Sequence, residues 1–373
     1  MSPLKQKIPV TLVTGFLGAG KTTLLEHVIQ TSTDRRFAII ENEFGDLGVD
    51  GSILSAPKES VFELNDGCIC CTVSGELLSA FDEISRRSDE FDHVLIETTG
   101  LAEPAPVMRF FDNPRVGDMF DLRGVVTVVD AHNIEQSLVD VHACEEQITF
   151  ADLIIVNKIE GRSETGLSGI EETLKTLNPL ARVVRAPEAR FDVDDILNLQ
   201  ADQSSLEQGI QHSHDHDGHH HHHDHNHEHG HSHDHDHNHE HGHSHDHDHN
   251  HNHEHGHSHD HSHSHDHSHD HTHDESIQSV AVEGSGNVDI DALDLWLGRL
   301  ARGHEPTVLR MKGVLAVPED QNRFIFNGVR STIDVKPGKL WADDPRFCRI
   351  VFIGRGLDRD SLQSQFTKCM ASA

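Results

Sequence analysis

The chain has 373 residues, with 30 lysines and arginines against 63 aspartates and glutamates, a formal net charge of −33 when histidine is counted neutral. Its isoelectric point of about 5.5 is high for so acidic a chain, and histidine accounts for the difference. An acidic chain without a basic stripe argues against nucleic acid as the main partner, and no apolar run reaches the ~18 to 20 residues of a membrane helix. The N-terminal MSPLKQKIPVTLV lacks the apolar core of a secretory signal, so a cytoplasmic, non-membrane protein is expected.

In chain order, residues 8–210 alternate short β-branched runs with helical stretches. IPVTLVT (8–14), RFAII (36–40), HVLIE (93–97), GVVTVVD (124–130), LIIVN (153–157) and RVVRA (182–186) predict buried strands. Helical periodicity runs through 21–30, 74–87, 102–111 and 166–177. The alternation predicts an α/β fold, a mostly parallel sheet covered on both faces with ligands beyond the carboxyl ends of its strands.

Gly15-Phe16-Leu17-Gly18-Ala19-Gly20-Lys21-Thr22 matches G-x-x-x-x-G-K-[ST] between a strand and a helix, the context that a phosphate cradle needs. Loop amides and the helix N-terminus would wrap phosphates, Lys21 would neutralise the β/γ oxygens, and Thr22 would hold Mg²⁺. The bland alternative is a glycine-rich turn. Asn157-Lys158-Ile159-Glu160 follows the strand LIIVN, where an acid can accept N1–H and the 2-amino group of guanine. Glu160 is one methylene longer than the usual aspartate, which leaves adenine as the alternative base.

Glu97-Thr98-Thr99-Gly100 ends the strand HVLIE, where an acid can hold a magnesium water and a glycine lets backbone approach a γ-phosphate. Asp130 is a similar strand-tip acid with a stronger claim to a purely structural role. Glu41-Asn42-Glu43-Phe44-Gly45, followed by Asp46 and Asp50, stands where a switch loop would lie. Its carboxylates could serve magnesium, water or a second metal.

Cys68-Ile69-Cys70-Cys71 puts three thiolates within four residues. Six cysteines are too few for a disulfide scaffold in so long a chain, and soft thiolates suit zinc or a similar cation with a fourth position left open. The alternative is a buried apolar cluster. Cys144, Cys348 and Cys369 stand alone and read as core or surface thiols.

Of 38 histidines, 33 lie between His212 and His273, with 11 Asp, 3 Glu and no Lys or Arg in 212–274. That segment supplies −14 of the formal charge. It repeats as HDHNHEHGHS (223–232), HDHDHNHEHGHS (233–244) and HDHDHNHNHEHGHS (245–258). With nothing apolar to bury, it is expected to be disordered and to bind metal through neighbouring neutral imidazoles; a solubilising, pH-sensitive linker is the alternative. Beyond about residue 277, a helix (289–303), strands (305–317, 323–330, 346–354) and a closing helix (358–370) predict a small α+β domain with Trp296 and Trp341 in its core. The resulting division is 1–208, 209–276 and 277–373.

GFLGAGKTTLL, ENEFGDLGVD, DGCICCT, ETTGLAEPAPV, GVVTVVDA, ADLIIVNKIE, LRMKGVLAV and RIVFIGRGLD together resemble the CobW-like P-loop GTPases, relatives of the urease and hydrogenase maturation GTPases. The resemblance covers nearly all of the chain outside the histidine tract. It implies a P-loop NTPase domain with a CobW-type C-terminal domain, and GTP hydrolysis with Mg²⁺. It further implies handling of zinc (Zn²⁺), or of cobalt (Co²⁺) in some members, for a client metalloprotein. By it, Lys21, Thr22 and Glu97 would be catalytic. Gly15, Gly18, Ala19, Gly20, Lys21, Thr22 and Thr23 would hold phosphate, and Asn157, Lys158 and Glu160 guanine. Cys68, Cys70 and Cys71 would hold the transition metal, with Glu41 and Glu43 as further candidates and Thr22 on magnesium. A nucleotide-dependent homodimer is a further expectation. The rivals are a passive zinc store acting through the tract, a cobalt-handling protein of cobalamin synthesis, and a small-molecule kinase using ATP, for which no acceptor signature is present.

Overall fold

The structure, a computed structural model, describes residues 7–42, 61–64, 73–199, 276–303, 306–330 and 332–371. The apolar runs of the first part form β1 (Ile8–Gly15), β2 (Phe37–Asn42), β3 (Val61–Leu64), β4 (His93–Glu97), β5 (Phe120–Asp130), β6 (Leu153–Asn157) and β7 (Arg182–Arg185). These seven strands make one sheet in the order β3-β2-β4-β1-β5-β6-β7, with every pairing parallel.

Between them run α1 (Lys21–Thr31), α2 (Val73–Arg86), α3 (Pro104–Phe110), α4 (Pro114–Gly117), α5 (Ile134–Asp140), α6 (His142–Thr149), α7 (Glu164–Leu177) and α8 (Asp194–Leu197). Successive strand residues feed opposite cores. Val13, Ile39 and Leu95 pack with Leu24, Leu25 and Val28 of α1, while Leu12, Ile40 and Ile96 pack with Phe81 and Ile84 of α2. Burial on both faces is why these strands read as continuous apolar runs.

The last part comprises β8 (Gln278–Ser285), α9 (Ile290–Arg302), β9 (Thr307–Ala316), β10 (Asn322–Val329), β11 (Thr332–Leu340), β12 (Phe347–Arg355) and α10 (Arg359–Thr367). Its five strands form an antiparallel sheet in the order β11-β10-β9-β12-β8. Asp289 caps α9 by accepting from Ala292 N at 3.0 Å, and Asp358 caps α10 by accepting from Ser361 N at 2.6 Å. Trp296 of α9 meets Phe352 edge-on at 5.7 Å and lies beside Phe366 of α10, and Trp341 is buried against Phe347. Both tryptophans are therefore core residues, as the sequence predicts.

Several elements escape the hydrophobic pattern: β3, which is only four residues long; β8 and the edge strand β11, which are largely polar; and α5 and α6, whose charged composition masks an inward face. The two sheets belong to one compact unit. β9 is buried along nearly its whole length, yet carries Arg310 and Lys312. Both reach Asp152, just before β6, Arg310 Nη2 donating to Oδ1 at 2.5 Å and Lys312 Nζ donating to the same oxygen. Oδ2 of Asp152 accepts from Val125 N at 2.8 Å. Burial opposes the charge of Asp152, but Arg310, Lys312 and the Val125 amide outweigh it and hold the carboxyl below the usual range.

Two stability measurements follow. Asp152→Ala removes the carboxylate shared by two buried cations and should lower the unfolding free energy in denaturant titration by about 3–5 kcal/mol; a loss below 1 kcal/mol would refute the pairing. His93 is buried, shares a 2.9 Å hydrogen bond with Thr11 Oγ1, and is pushed by burial, then by Arg35 and Arg123, down to about 4. Its folded value lies below its unfolded one, so its contribution is complete above pH ~6.5 and disappears as pH falls toward 4. Wild type should therefore lose on the order of 3 kcal/mol more than His93→Gln across that window.

Candidate functional site

β1 ends at Gly15 and α1 begins at Lys21, so residues 16–20 make a tight connection; Gly15 at its entry and Gly18 and Gly20 within it all have positive φ. A β-carbon on Gly15 would lie 2.2 Å from Val128 O of the neighbouring strand, which no side chain could tolerate. Helix α1 has no side-chain cap and no acid in its first turn, so its N-terminal amides and positive dipole end are available to an anion. Ala19 is buried and Thr23 is exposed.

Lys21 is buried, and its ammonium donates to Phe16 O at 3.3 Å, folded over the loop. Thr22 Oγ1 donates to the Glu97 carboxylate at 3.3 and 3.5 Å, so the helix-start hydroxyl and the strand-tip acid come together as the sequence suggests. Beyond Glu97, Thr98 donates through Oγ1 to Thr14 Oγ1 at 2.9 Å and through its amide to Val13 O at 3.0 Å. Gly100 then passes so close to the phosphate loop that a β-carbon there would lie 2.6 Å from Leu17 N.

At the end of β6, Asn157 is buried and its amide Nδ2 donates to Ala19 O at 2.9 Å, clamping the loop from the side. Lys158 has a φ of 55° and sends its ammonium to Asp130 Oδ2 at 3.0 Å. Asp130 also accepts from His132 N at 2.8 Å and Asn133 Nδ2 at 2.9 Å. Burial opposes its charge, but Lys158, the His132 amide and Asn133 hold its carboxyl below the usual range. Asp130 is thus engaged in organising its own turn. Glu160 is exposed, and its carbonyl accepts from His132 Nε2 at 2.9 Å.

Glu41, at the end of β2, is buried and stands in register with Glu97 on the adjacent strand. Among the described residues no group of three or more His, Cys, Asp or Glu could hold a metal ion. Glu43, Cys68, Cys70, Cys71 and the histidine tract lie outside the described residues. Cys144, Cys348 and Cys369 are buried; burial pushes the thiols of Cys144 and Cys348 up to about 11, which makes them poor ligands. Sequence reasoning missed Gln147 of α6, which contacts the Gly100 loop, and the clamp that Asn157 forms on Ala19. A lone glutamine in a polar helix gives no signal; an asparagine after a strand, opposite a phosphate loop, could have suggested the clamp.

Residues 9–185 match the family described as CobW/HypB/UreG, nucleotide-binding domain, and residues 277–370 match the cobalamin synthesis protein cobW C-terminal domain. The chain is 31% identical to the zinc chaperone CobW of Pseudomonas aeruginosa, with 98% of this chain and 92% of that protein covered. It is 27% identical to the zinc chaperone YjiA of Escherichia coli over 96% of this chain and 98% of that one. The crystal structure of Zn(II)-bound YjiA GTPase from Escherichia coli shares the fold, with a TM-score of 0.64 at 22% identity over 98% of this chain and 100% of that one. With the phosphate loop, its strand-tip acid and both parts of the chain matched, the protein belongs to the CobW/HypB/UreG family.

Proposed function

We propose that the protein is a GTP-hydrolysing metallochaperone that takes zinc, or a similar transition metal such as Co²⁺, as cargo and hands it to a client metalloprotein in step with nucleotide state. The observation that carries this reading is the row of acids at the carboxyl edge of the sheet. Glu41 stands beside Glu97, and Glu97 shares Thr22 with the phosphate loop. Register partners on adjacent strands are about 4.8 Å apart, so a carboxylate suited to the cargo and one suited to the nucleotide are immediate neighbours. Relatives named zinc chaperones support zinc as the cargo.

The residues present fit a magnesium nucleotide: a loop with no room for a β-carbon at Gly15, an uncapped helix N-terminus, a buried lysine, and a hydroxyl facing a carboxylate. Mg²⁺, when bound, neutralises charge across the β- and γ-phosphate oxygens, and Thr22 and Glu97 would hold it. Lys21 would turn from Phe16 O to the phosphates. Gly15, Gly18, Ala19 and Gly20 would present backbone, with Thr23 following at the start of α1 and Asn157 keeping the cradle in shape. Glu160 would accept from the guanine edge, and the strained Lys158 backbone orients that loop.

Cys68, Cys70 and Cys71, with Glu41 or Glu43, would bind the cargo. Three thiolates leave the fourth position to a carboxylate that can exchange, which a delivery site requires. The histidine tract would keep weakly held metal nearby and raise its effective concentration. A nucleotide-dependent homodimer, a cytoplasmic location and the division 1–208, 209–276 and 277–373 belong to the same reading. A passive store is the second reading, favoured by the 33 clustered histidines.

Zinc competition titration of a variant lacking 212–274 separates the two. One tight site should remain, its affinity differing by about tenfold between GTP analogue and GDP and unaffected by ATP, and it should vanish when Cys68, Cys70 and Cys71 become serine. Loss of all tight zinc with the tract would favour the store. Independently, Glu97→Gln should reduce GTP turnover about 100-fold and weaken its magnesium dependence while leaving GDP binding within a few fold; unchanged turnover would remove Glu97 from the machinery.

A further inference from the structure

Gln147 lies on α6 and takes part in none of the roles above. It is 1% exposed. Its Nε2 donates to Gly100 O at 3.0 Å and to Ala102 O at 3.1 Å, and its main-chain carbonyl accepts from Thr127 Oγ1 at 2.6 Å. Because both side-chain partners are carbonyls, the amide must turn its NH₂ toward them, which fixes its orientation. Oε1 has no hydrogen-bond partner among the described residues. Such an unpaired buried oxygen is costly to keep and calls for an explanation. Here both donors of a buried amide are committed to one short loop, the loop whose Gly100 rests on Leu17.

The two residues preceding Gln147 face elsewhere. Glu146, also buried, accepts from Arg330 Nη2 at 3.0 Å, and Glu145 accepts from Arg355 Nη2 at 3.1 Å. Arg330 sits in the turn between β10 and β11 with a φ of 52°, and it lies 3.9 Å from Glu103, three residues beyond Gly100. One turn of α6 therefore grips the Gly100 loop at one point and the C-terminal sheet at two others.

We propose that α6 links nucleotide state to the C-terminal sheet, with Gln147 the positioning residue for the Gly100 loop and Arg330 the contact that receives the displacement. The inference rests on the proposed nucleotide site together with the sequence expectation that the Gly100 backbone approaches the γ-phosphate. A loop drawn toward that phosphate pulls on both Gln147 donors, and α6 carries the movement to Glu146 and Arg330.

The chain contains two tryptophans and no tyrosine, and both Trp296 and Trp341 are buried in the C-terminal part. Intrinsic emission of the full chain thus reports on that part alone. In wild type, a non-hydrolysable GTP analogue should change the emission and GDP should not. Gln147→Met, similar in size but without donors, should keep GDP affinity within about twofold, weaken the analogue about fivefold or more, lower turnover about tenfold, and abolish the emission difference. Arg330→Gln should keep GDP affinity and lose only the emission difference. Equal losses of GDP and analogue affinity in Gln147→Met, or no loss of either, would overturn the positioning role. An emission difference absent from wild type, or intact in Arg330→Gln, would overturn the link to the C-terminal sheet. Failure of wild type to bind any guanine nucleotide would instead overturn the functional reading on which this one rests.

Discussion

Everything at the carboxyl edge of the large sheet depends on how closely backbone approaches the phosphate loop. Gly15 presses on the carbonyl of Val128 from β5, and Gly100, just beyond β4, presses on Leu17. β1 lies between those two strands, so the loop is wedged from both sides by neighbours that the parallel sheet holds at fixed spacing. Asn157, from the next strand along, closes the third side through Ala19. The loop's shape is consequently a property of the sheet, and Thr22 and Glu97 meet because α1 and β4 leave that wedge side by side. A loop held this firmly needs little reorganisation when an anion arrives, which is the condition under which fixed dipoles act most strongly.

The second part of the molecule shares one buried apolar cluster with the first, and charge pairs are added to that contact. Asp152 pairs with both Arg310 and Lys312 on a strand with almost no exposed residue, while Glu145, Glu146 and Asp121 hold Arg355, Arg330 and Lys336. An apolar contact of the same area would often be as stable or more so. Ion pairs add direction. Each carboxylate accepts only where its donors point, so the C-terminal sheet has a defined position against α6 and the start of β6. A contact with discrete partners has discrete alternatives, and an element that bears on it can bias which alternative is occupied.

How much of this was legible in the sequence follows from where the partners of each residue lie. Strands β1, β5 and β6 are buried on both faces and announce themselves as unbroken apolar runs. The phosphate loop was legible because phosphate binding demands glycines, lysine and hydroxyl at fixed spacing. Glu97 was legible as a strand-tip acid, whereas Glu41 read as the start of a switch loop; that it still belongs to β2, in register with Glu97, needed the strand pairing. Asp130 carried the same signal as Glu97, yet Lys158, Asn133 and the His132 amide occupy it, and the lysine comes from 28 residues away. α6 was hidden because its buried side chains include Glu146 and Gln147, whose polarity makes sense only beside Arg330 and Gly100. Asp152 is similar: its cations stand 158 and 160 positions later. Local pattern reveals apolar burial and chemically constrained motifs; polar burial satisfied at long range leaves no periodicity to read.

In the proposed role, the energetics constrain how cargo can move. Driving a two-state element from 1:99 to 99:1 takes about 5.5 kcal/mol of differential binding. Hydrogen bonds from one loop to a charged phosphate contribute about 1.5–3 kcal/mol each, so a γ-phosphate contact through Gly100 supplies part of such a shift. Thiolate sites bind zinc with apparent energies of about 10–16 kcal/mol. Nucleotide state can therefore loosen a site built on Cys68, Cys70 and Cys71 without emptying it. Cargo leaves such a site when another set of donors takes it over, one ligand at a time, and an incomplete shell of three thiolates leaves the position through which that exchange begins. The physical form of the proposed reaction is then handover to a client that brings its own ligands, with hydrolysis deciding when the first of those ligands can enter. The histidine tract fits the opposite end of the same sequence. In that role neighbouring imidazoles would bind metal only when neutral, so ions held there would exchange readily above pH ~6.5 and pass toward the stronger thiolates.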